Sequence, residues 1–435
     1  MFATQFRLCF RHLSTGPLSS RGGTALAVAA TLLVAVSAIG GCAGAVGSAP
    51  VCDSPGVSAH EIRIGLIYPD SGAVGAALEA ARGGVDARLG LVNDAGGVYG
   101  RKVTYVWQGD EATPTSNDTA VRSLVESSGV FGIFEASTSA SGGADYLRSH
   151  QVPTVGLPIE HIWADPAYPN FFSYPSVLTG GSVSDVFGRY TTAQGGHQAV
   201  IVTTDSASAT QQFTPTLEQS LSAARIPTTR LEYNSAVTSP AQLANRLRGT
   251  AADVLVLDLA SSDVPQVVAA TRAAHIPFRL ILSVAGYGDE TIQHYGSAVT
   301  GLTTFSTLLP LQAHLPAQQT YLAAADRYAP ELQTPTQDVA YGTYVAADLL
   351  VRGLTAAGPC PTRAGFIKAL HGVKDYNADG LLAGRVDFSH SVTQSINCLI
   401  FMQVNAAGTA FDLVPNTIPG APSPTEWCGD KPARS

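Results

Sequence analysis

Lysine is scarce in this chain of 435 residues: four, against 21 arginines. Charge of both signs is thin at 13% of residues, and no run of Lys and Arg occurs anywhere. The balance of 25 basic against 33 acidic residues leaves a net charge of −8. Residues 1–41 hold Arg7, Arg11 and Arg21 and no acid, so the remaining body is more acidic still. Nucleic-acid binding rests on neutralising phosphates with Lys and Arg, and this composition argues against DNA or RNA as a partner. The signatures of common enzyme chemistries are missing too. There is no G-x-S-x-G for a nucleophile elbow, no S-x-x-K, no H-E-x-x-H and no Gly-Lys pair for a phosphate loop. No G-x-G-x-x-G occurs among the 43 glycines, which disfavours a dinucleotide site. The ten histidines are scattered, with no pair four residues apart beside a carboxylate, so neither a metal nor a cofactor is expected. What the chain has is apolar residues, 45% of the total, enough for large cores in two or three domains.

Long apolar runs are also lacking, with one exception. Ala25 to Ile39 is apolar over 15 residues and follows the three arginines. A basic region, a short apolar stretch and small residues before a cleavage point describe a secretory signal; a membrane span needs about 20 apolar residues. Ile39-Gly40-Gly41-Cys42 resembles the bacterial lipobox, which implies acylation of Cys42 as the mature N-terminus. An ordinary signal peptide and an uncleaved anchor are the alternatives. Residues 1–41 are therefore expected to be a signal peptide and 42–58 a lipidated tether. Besides Cys9 and Cys42, four cysteines remain, and none is spaced as C-x-x-C. An even number in an exported chain suggests disulfides, and four cysteines allow three pairings. Cys360 and Cys398 flank one helix-plus-hairpin segment and make the most plausible local pair, which leaves Cys52 for Cys428.

From Glu61 onward, short apolar runs alternate with longer amphipathic ones. The spacing predicts strands at 62–67, 102–107, 130–134 and 152–155, with helices at 75–93, 116–126 and 142–150 between or after them. A second set repeats the rhythm, with strands at 198–203, 230–233, 253–257 and 278–282 among helices at 182–191, 210–224, 241–248 and 264–274. Helices at about 316–329, 337–357 and 362–371 follow, then strands at 384–388, 398–404 and 411–414. Such alternation means mostly parallel sheets covered on both faces. The fold class expected is α/β, with two Rossmann-like parallel-sheet lobes joined by a multi-strand hinge. Residues 59–176 and 303–377 would form lobe 1, 177–302 and 378–416 lobe 2, and 417–435 a C-terminal tail. A hinge of this kind suits closure on a ligand.

Three passages carry a resemblance. Arg63-Ile64-Gly65-Leu66-Ile67-Tyr68-Pro69-Asp70-Ser71-Gly72 is a strand running into a small-residue loop. Gly83-Gly84-Val85-Asp86 leads to Asn93-Asp94-Ala95-Gly96-Gly97-Val98-Tyr99-Gly100-Arg101-Lys102, an N-x-x-G-G-x-x-G-R-K turn. Asp110 and Thr115 to Thr119 then open the next helix. Together these resemble the type I periplasmic binding proteins of the branched-chain amino-acid subgroup, the solute receptors of ABC importers. The likeness runs from about Ile62 to Val404 and implies the same two-lobed fold.

The resemblance also implies site positions. Ser71 lies in the loop after the first strand. Ser137, Thr138 and Ser139 occupy the hydroxyl loop that takes a ligand carboxylate. Glu160, His161 and Trp163 stand where the family has small residues and a Ser or Thr. Tyr287 lies beside the place of the family's ammonium-binding acid, where this chain has Val284 or Ala285. Ala77 and Ala260 replace aromatics, which implies a pocket wider than a leucine site, with Glu160 as a substitute negative charge and His161 as a pH-sensitive neighbour. The function expected is that of a lipid-anchored receptor on the outer face of the cytoplasmic membrane. It would capture a small polar solute, an amino acid or a related organic acid, and deliver it to an ABC permease. A ligand-sensing module of the same fold is the alternative, and an enzyme outside the motifs above a more distant one.

Overall fold

The computed structural model describes residues 52–176, 179, 184–204, 208–389, 397–421 and 423–430. The lipobox cysteine Cys42 and the signal segment lie outside them. Lobe 1 begins with β1 (Glu61–Ile67), α1 (Gly72–Leu78), α2 (Ala81–Asp94), β2 (Lys102–Gln108), α3 (Pro114–Arg122), β3 (Ile133–Glu135), α4 (Ala144–Ser149), β4 (Thr154–Gly156) and β5 (Phe171–Phe172). Its sheet runs in the order β2-β1-β3-β4-β5, every neighbouring pair parallel. Lobe 2 continues with α5 (Val186–Ala193), β6 (Ala199–Thr203), α6 (Ser208–Ala223), β7 (Thr228–Glu232), α7 (Pro240–Arg248), β8 (Val254–Asp258), α8 (Asp263–Ala273), β9 (Leu280–Ser283), α9 (Asp289–Tyr295) and β10 (Leu302–Ser306). The chain then returns to lobe 1 for α10 (Pro316–Tyr328), α11 (Asp338–Ala357) and α12 (Arg363–His371). It ends in lobe 2 with β11 (Cys398–Val404), β12 (Phe411–Leu413) and β13 (Glu426–Cys428). The second sheet has the order β12-β11-β10-β9-β8-β6-β7, parallel from β10 to β7 and antiparallel around β11, with β13 also on β11.

Local chemistry sets these elements. β8 is Val-Leu-Val-Leu-Asp, buried throughout, as a strand covered on both faces must be. Thr113 caps α3 by accepting the Ser116 N–H at 3.2 Å, with Pro114 in the first turn. Ser239 and Gln242 exchange side-chain bonds at the start of α7, a capping box. Two glycines are required by geometry. A Cβ on Gly84 would lie 2.0 Å from the Ala340 carbonyl oxygen, because α2 crosses α11 at that point. Gly97 has φ +73°, and a Cβ there would meet the Arg101 carbonyl at 1.9 Å, which closes the turn into β2.

Several expected boundaries differ. Residues 303–306 belong to β10 in the lobe 2 sheet, because Leu302 and Thr303 pair in parallel with β9. Residues 378–388 were expected in lobe 2, yet Ala378, Leu381, Leu382, Val386 and Phe388 join the lobe 1 core with Tyr344 and Phe366. The expected strand at 384–388 is reduced to a single bridge between Tyr376 and Val386. The tail expected at 417–435 contributes β13, with Trp427 buried against Tyr190 and Phe401. Residues 52–58 are packed rather than a free tether: Arg63 N–H bonds the Gly56 carbonyl at 2.7 Å and Val57 bridges to Ile62.

The disulfide pairing is corrected as well. The bonds are Cys52–Cys360 and Cys398–Cys428, not Cys360–Cys398 and Cys52–Cys428. After Cys360 the chain forms α12 on lobe 1 and only then enters the other sheet. There β13 aligns antiparallel with β11 and sets Cys428 opposite Cys398, Cα atoms 4.1 Å apart. Cys52 meets Cys360 at the base of lobe 1. Buried Arg101 ties this corner by donating to the Ser58 carbonyl at 2.6 Å and the Pro359 carbonyl at 2.7 Å.

Candidate ligand-binding cleft

In parallel α/β sheets, ligands bind outside the C-terminal strand ends, where the strand order reverses. Those reversals fall between β1 and β3 in lobe 1 and between β6 and β8 in lobe 2. A cavity of about 580 Å³ opens between the lobes. Ala76, Ala77, Asp338 and Val339 of lobe 1 line it, Tyr287 of lobe 2 faces them, and Gln312 of the connecting segment closes one side. The volume lies in the range of small-molecule sites.

Of the residues singled out in the sequence, Tyr287 is on this cavity. Its hydroxyl donates to Gln312 Oε1 at 2.6 Å, and its ring stands 5.1 Å from that of Phe411. Ala77 lines the wall, as an enlarged pocket requires; Ala260 is exposed and does not. Ser71 is exposed at the start of α1 and makes no capping bond there.

The hydroxyl loop has other employment. Ser137 is fully buried, donates its hydroxyl to Asp110 in a short contact, and accepts the Ser139 N–H at 2.9 Å. Asn117 holds the same Asp110 oxygen at 3.0 Å and accepts the Gly143 N–H at 2.9 Å. Ser139 is buried, and Thr138 is exposed. Glu160, expected to face a ligand cation, instead accepts the Ser141 N–H at 3.1 Å and the Ser141 hydroxyl at 2.9 Å. Burial pushes its carboxyl up, and these bonds oppose the rise. The His161 ring is exposed, and its Nδ1 lies 2.7 Å from the Thr179 carbonyl. Trp163 is core rather than pocket: it is 1% exposed, sits edge-on to Phe171 at 5.2 Å and covers Gly156.

Two acids that sequence reasoning passed over matter more. Glu135, the last residue of β3, is wholly buried, and neither carboxylate oxygen meets a hydrogen-bond partner among the described residues. Burial holds its pKa well above the usual range, reinforced by the charges of Asp110 and Glu160; nearby Asn117 offsets this only in part. Asp338 opens α11. It is exposed and lines the cavity, and desolvation by the protein around it pushes its carboxyl up to about 6. In the sequence it reads as an ordinary first-turn acid ahead of an apolar helix, and nothing local marks it as a cleft residue.

Two α/β lobes, threaded by a chain that crosses between them repeatedly and lining a cavity, have the architecture of a two-lobed binding protein. The chain belongs to the periplasmic binding protein family, whose signature matches residues 61–409. None of the curated proteins matches by sequence. Solved structures share the fold at low identity. The fatty acid ABC transporter substrate-binding protein from Thermomonospora curvata is 16% identical, with 84% of this chain and 94% of that one covered and a TM-score of 0.66. The branched-chain amino acid transporter substrate binding protein LivJ from Streptococcus pneumoniae, in complex with isoleucine, is 16% identical, covering 81% and 99%, with a TM-score of 0.62. The R. palustris ABC transporter solute binding protein in complex with 4-hydroxybenzoate is 15% identical, covering 86% and 98%, with a TM-score of 0.65. Their ligands differ widely, so the shared fold does not specify one. The family places the chain outside the cytoplasm. Among the described residues no helix is long and apolar enough to cross a membrane.

Proposed function

We propose that the chain is the solute receptor of an ABC importer, held at the outer face of the cytoplasmic membrane by acylated Cys42. The observation that carries this reading is the cavity of about 580 Å³ with walls from both lobes. A solute bound there touches both lobes at once and so favours the closed arrangement, which the permease would recognise. Ala77 on the wall leaves room for a solute larger than leucine. Residues 1–41 act as the export signal and are removed.

A thermal-shift screen of the folded body against amino acids, aromatic acids, amides, amines and short peptides tests the receptor reading. A ligand that binds only the folded state raises the melting temperature, by an amount set by its concentration over Kd. Failure of every class at millimolar concentration would sink the reading. The anchor is tested separately: Cys42→Ser should leave the precursor unprocessed or release the protein from membranes, and unchanged fractionation and processing would refute it.

A further inference from the structure

We infer that the cleft takes an organic cation, a small amine with an apolar body, and that Asp338 holds its charged nitrogen. This rests on the solute-receptor reading above and narrows it to one class of ligand.

The first support is that the seat for a ligand carboxylate is already taken. In the turn after β3, the Ser141 N–H and hydroxyl both go to Glu160, and the Ser139 N–H goes to Ser137. The Ser137 hydroxyl goes to Asp110. The Ser141 donors and the Ser137 hydroxyl would have to leave half-buried Glu160 and buried Asp110 to receive an acidic solute, giving up a charge-assisted bond for each one gained.

The second support is the charge of the walls. Fourteen residues line the cavity; Asp289, Glu290 and Asp338 are among them, and no Lys, Arg or His is. Asp289 and Glu290 lie exposed on the rim and draw cations towards it. Asp338 lies on the lobe 1 wall instead, at the start of α11. It makes no hydrogen bond or ion pair with any described residue, although Tyr174, Tyr287 and Tyr321 all stand close enough to feel its charge. Desolvation by the protein around it raises its pKa, and no described partner offsets the rise. An ammonium group in the cavity supplies the missing partner, and a charge-assisted bond there is among the stronger kinds. Around it, Ala76, Ala77, Leu311 and Val339 offer apolar contact, and the face of Tyr287 suits a cation.

Calorimetric titration at pH 7.5 and low salt tests this with phenethylamine, tyramine and choline as cationic probes, and phenylpropionate, leucine and 4-hydroxybenzoate as carboxylate-bearing ones. At least one amine should bind more tightly than every carboxylate. Asp338→Asn should weaken it at least tenfold while the melting temperature of the ligand-free protein stays level or rises. A second reading uses pH. The tyrosines around Asp338 are held neutral by burial, so Asp338 is the group inside the cavity that titrates near 6, with Asp289 and Glu290 on the rim. Wild-type affinity for the amine should fall about tenfold from pH 7.5 to pH 5. Asp338→Asn should remove most of that fall, and Asp289→Asn with Glu290→Gln should leave it. Equal amine affinity in wild type and Asp338→Asn would overturn the inference. Tight binding of carboxylates with none of amines would overturn it and leave the receptor reading intact, whereas no binding by any probe would count against both.

Discussion

Asp258 offers a stability test independent of any ligand. It ends β8, is 2% exposed, and among the described residues accepts a side-chain hydrogen bond from Thr214 Oγ1 at 2.6 Å. Thr214 in turn lies 3.0 Å from the Thr203 hydroxyl. Burial outweighs that bond and pushes the carboxyl from its ordinary 3.8 up to about 6. The folded state therefore holds this proton more tightly than the unfolded chain, and stability falls as pH rises. The loss begins above the unfolded value near 3.8 and is complete above about 6. The gap corresponds to about 3 kcal/mol at pH 7.5. Asp258→Asn keeps the shape and a carbonyl oxygen for Thr214 but cannot ionise. It should stabilise lobe 2 by about 2–3 kcal/mol at pH 7.5 and by almost nothing at pH 4. Urea unfolding of wild type and variant at half-unit steps from pH 4 to pH 8 measures this. A stability difference that is flat across the range, or a variant weaker than wild type at pH 7.5, would refute the reasoning.

Three further outcomes follow from particular contacts. Gly84→Ala places a methyl 2.0 Å from the Ala340 carbonyl, forces α2 and α11 apart, and should cost about 2–3 kcal/mol in the same unfolding assay. Digestion without reduction should yield peptides joining Cys52 to Cys360 and Cys398 to Cys428. Replacing the first pair by Ser should cost more than replacing the second, about 6 against about 4 kcal/mol in the chain-entropy treatment, because they close separations of 308 and 30 residues. Glu160→Gln leaves one amide oxygen for the two donors of Ser141, so it should lower stability by about 1 kcal/mol. Its affinity for an amine probe should stay within twofold of wild type.

The lobes were legible because their signal is periodic. β8 is an unbroken apolar run, α7 carries its capping box in Ser239 and Gln242, and each occupies nearly the range that its pattern predicts. Two short strands, β5 and β13, were not legible. β5 has two residues and β13 three, too few for any alternation, and both are held in place by neighbours from distant parts of the chain. The disulfides failed for a related reason. Proximity in sequence favoured Cys360 with Cys398, but α12 and the bridge at Val386 keep the chain on lobe 1 until it crosses to β11.

The pocket was harder to read because its residue types carry two meanings, and packing selects between them. Ser137, Ser139 and Glu160 have the chemistry of a ligand seat, yet the fold turns that chemistry inward. Asn117 and Ser137 both donate to one carboxylate oxygen of Asp110. The turn at Ser141 needs an acceptor, and Glu160 supplies it. A loop that spends the Ser137 and Ser141 donors on its own acids keeps fewer for a solute. Asp338 shows the reverse. It is an exposed first-turn acid on the wall of the cavity, near Tyr287 and Tyr174 and without a donor among the described residues. Recognition thus passes from the loop with the suggestive sequence to the acid that the fold leaves unsatisfied.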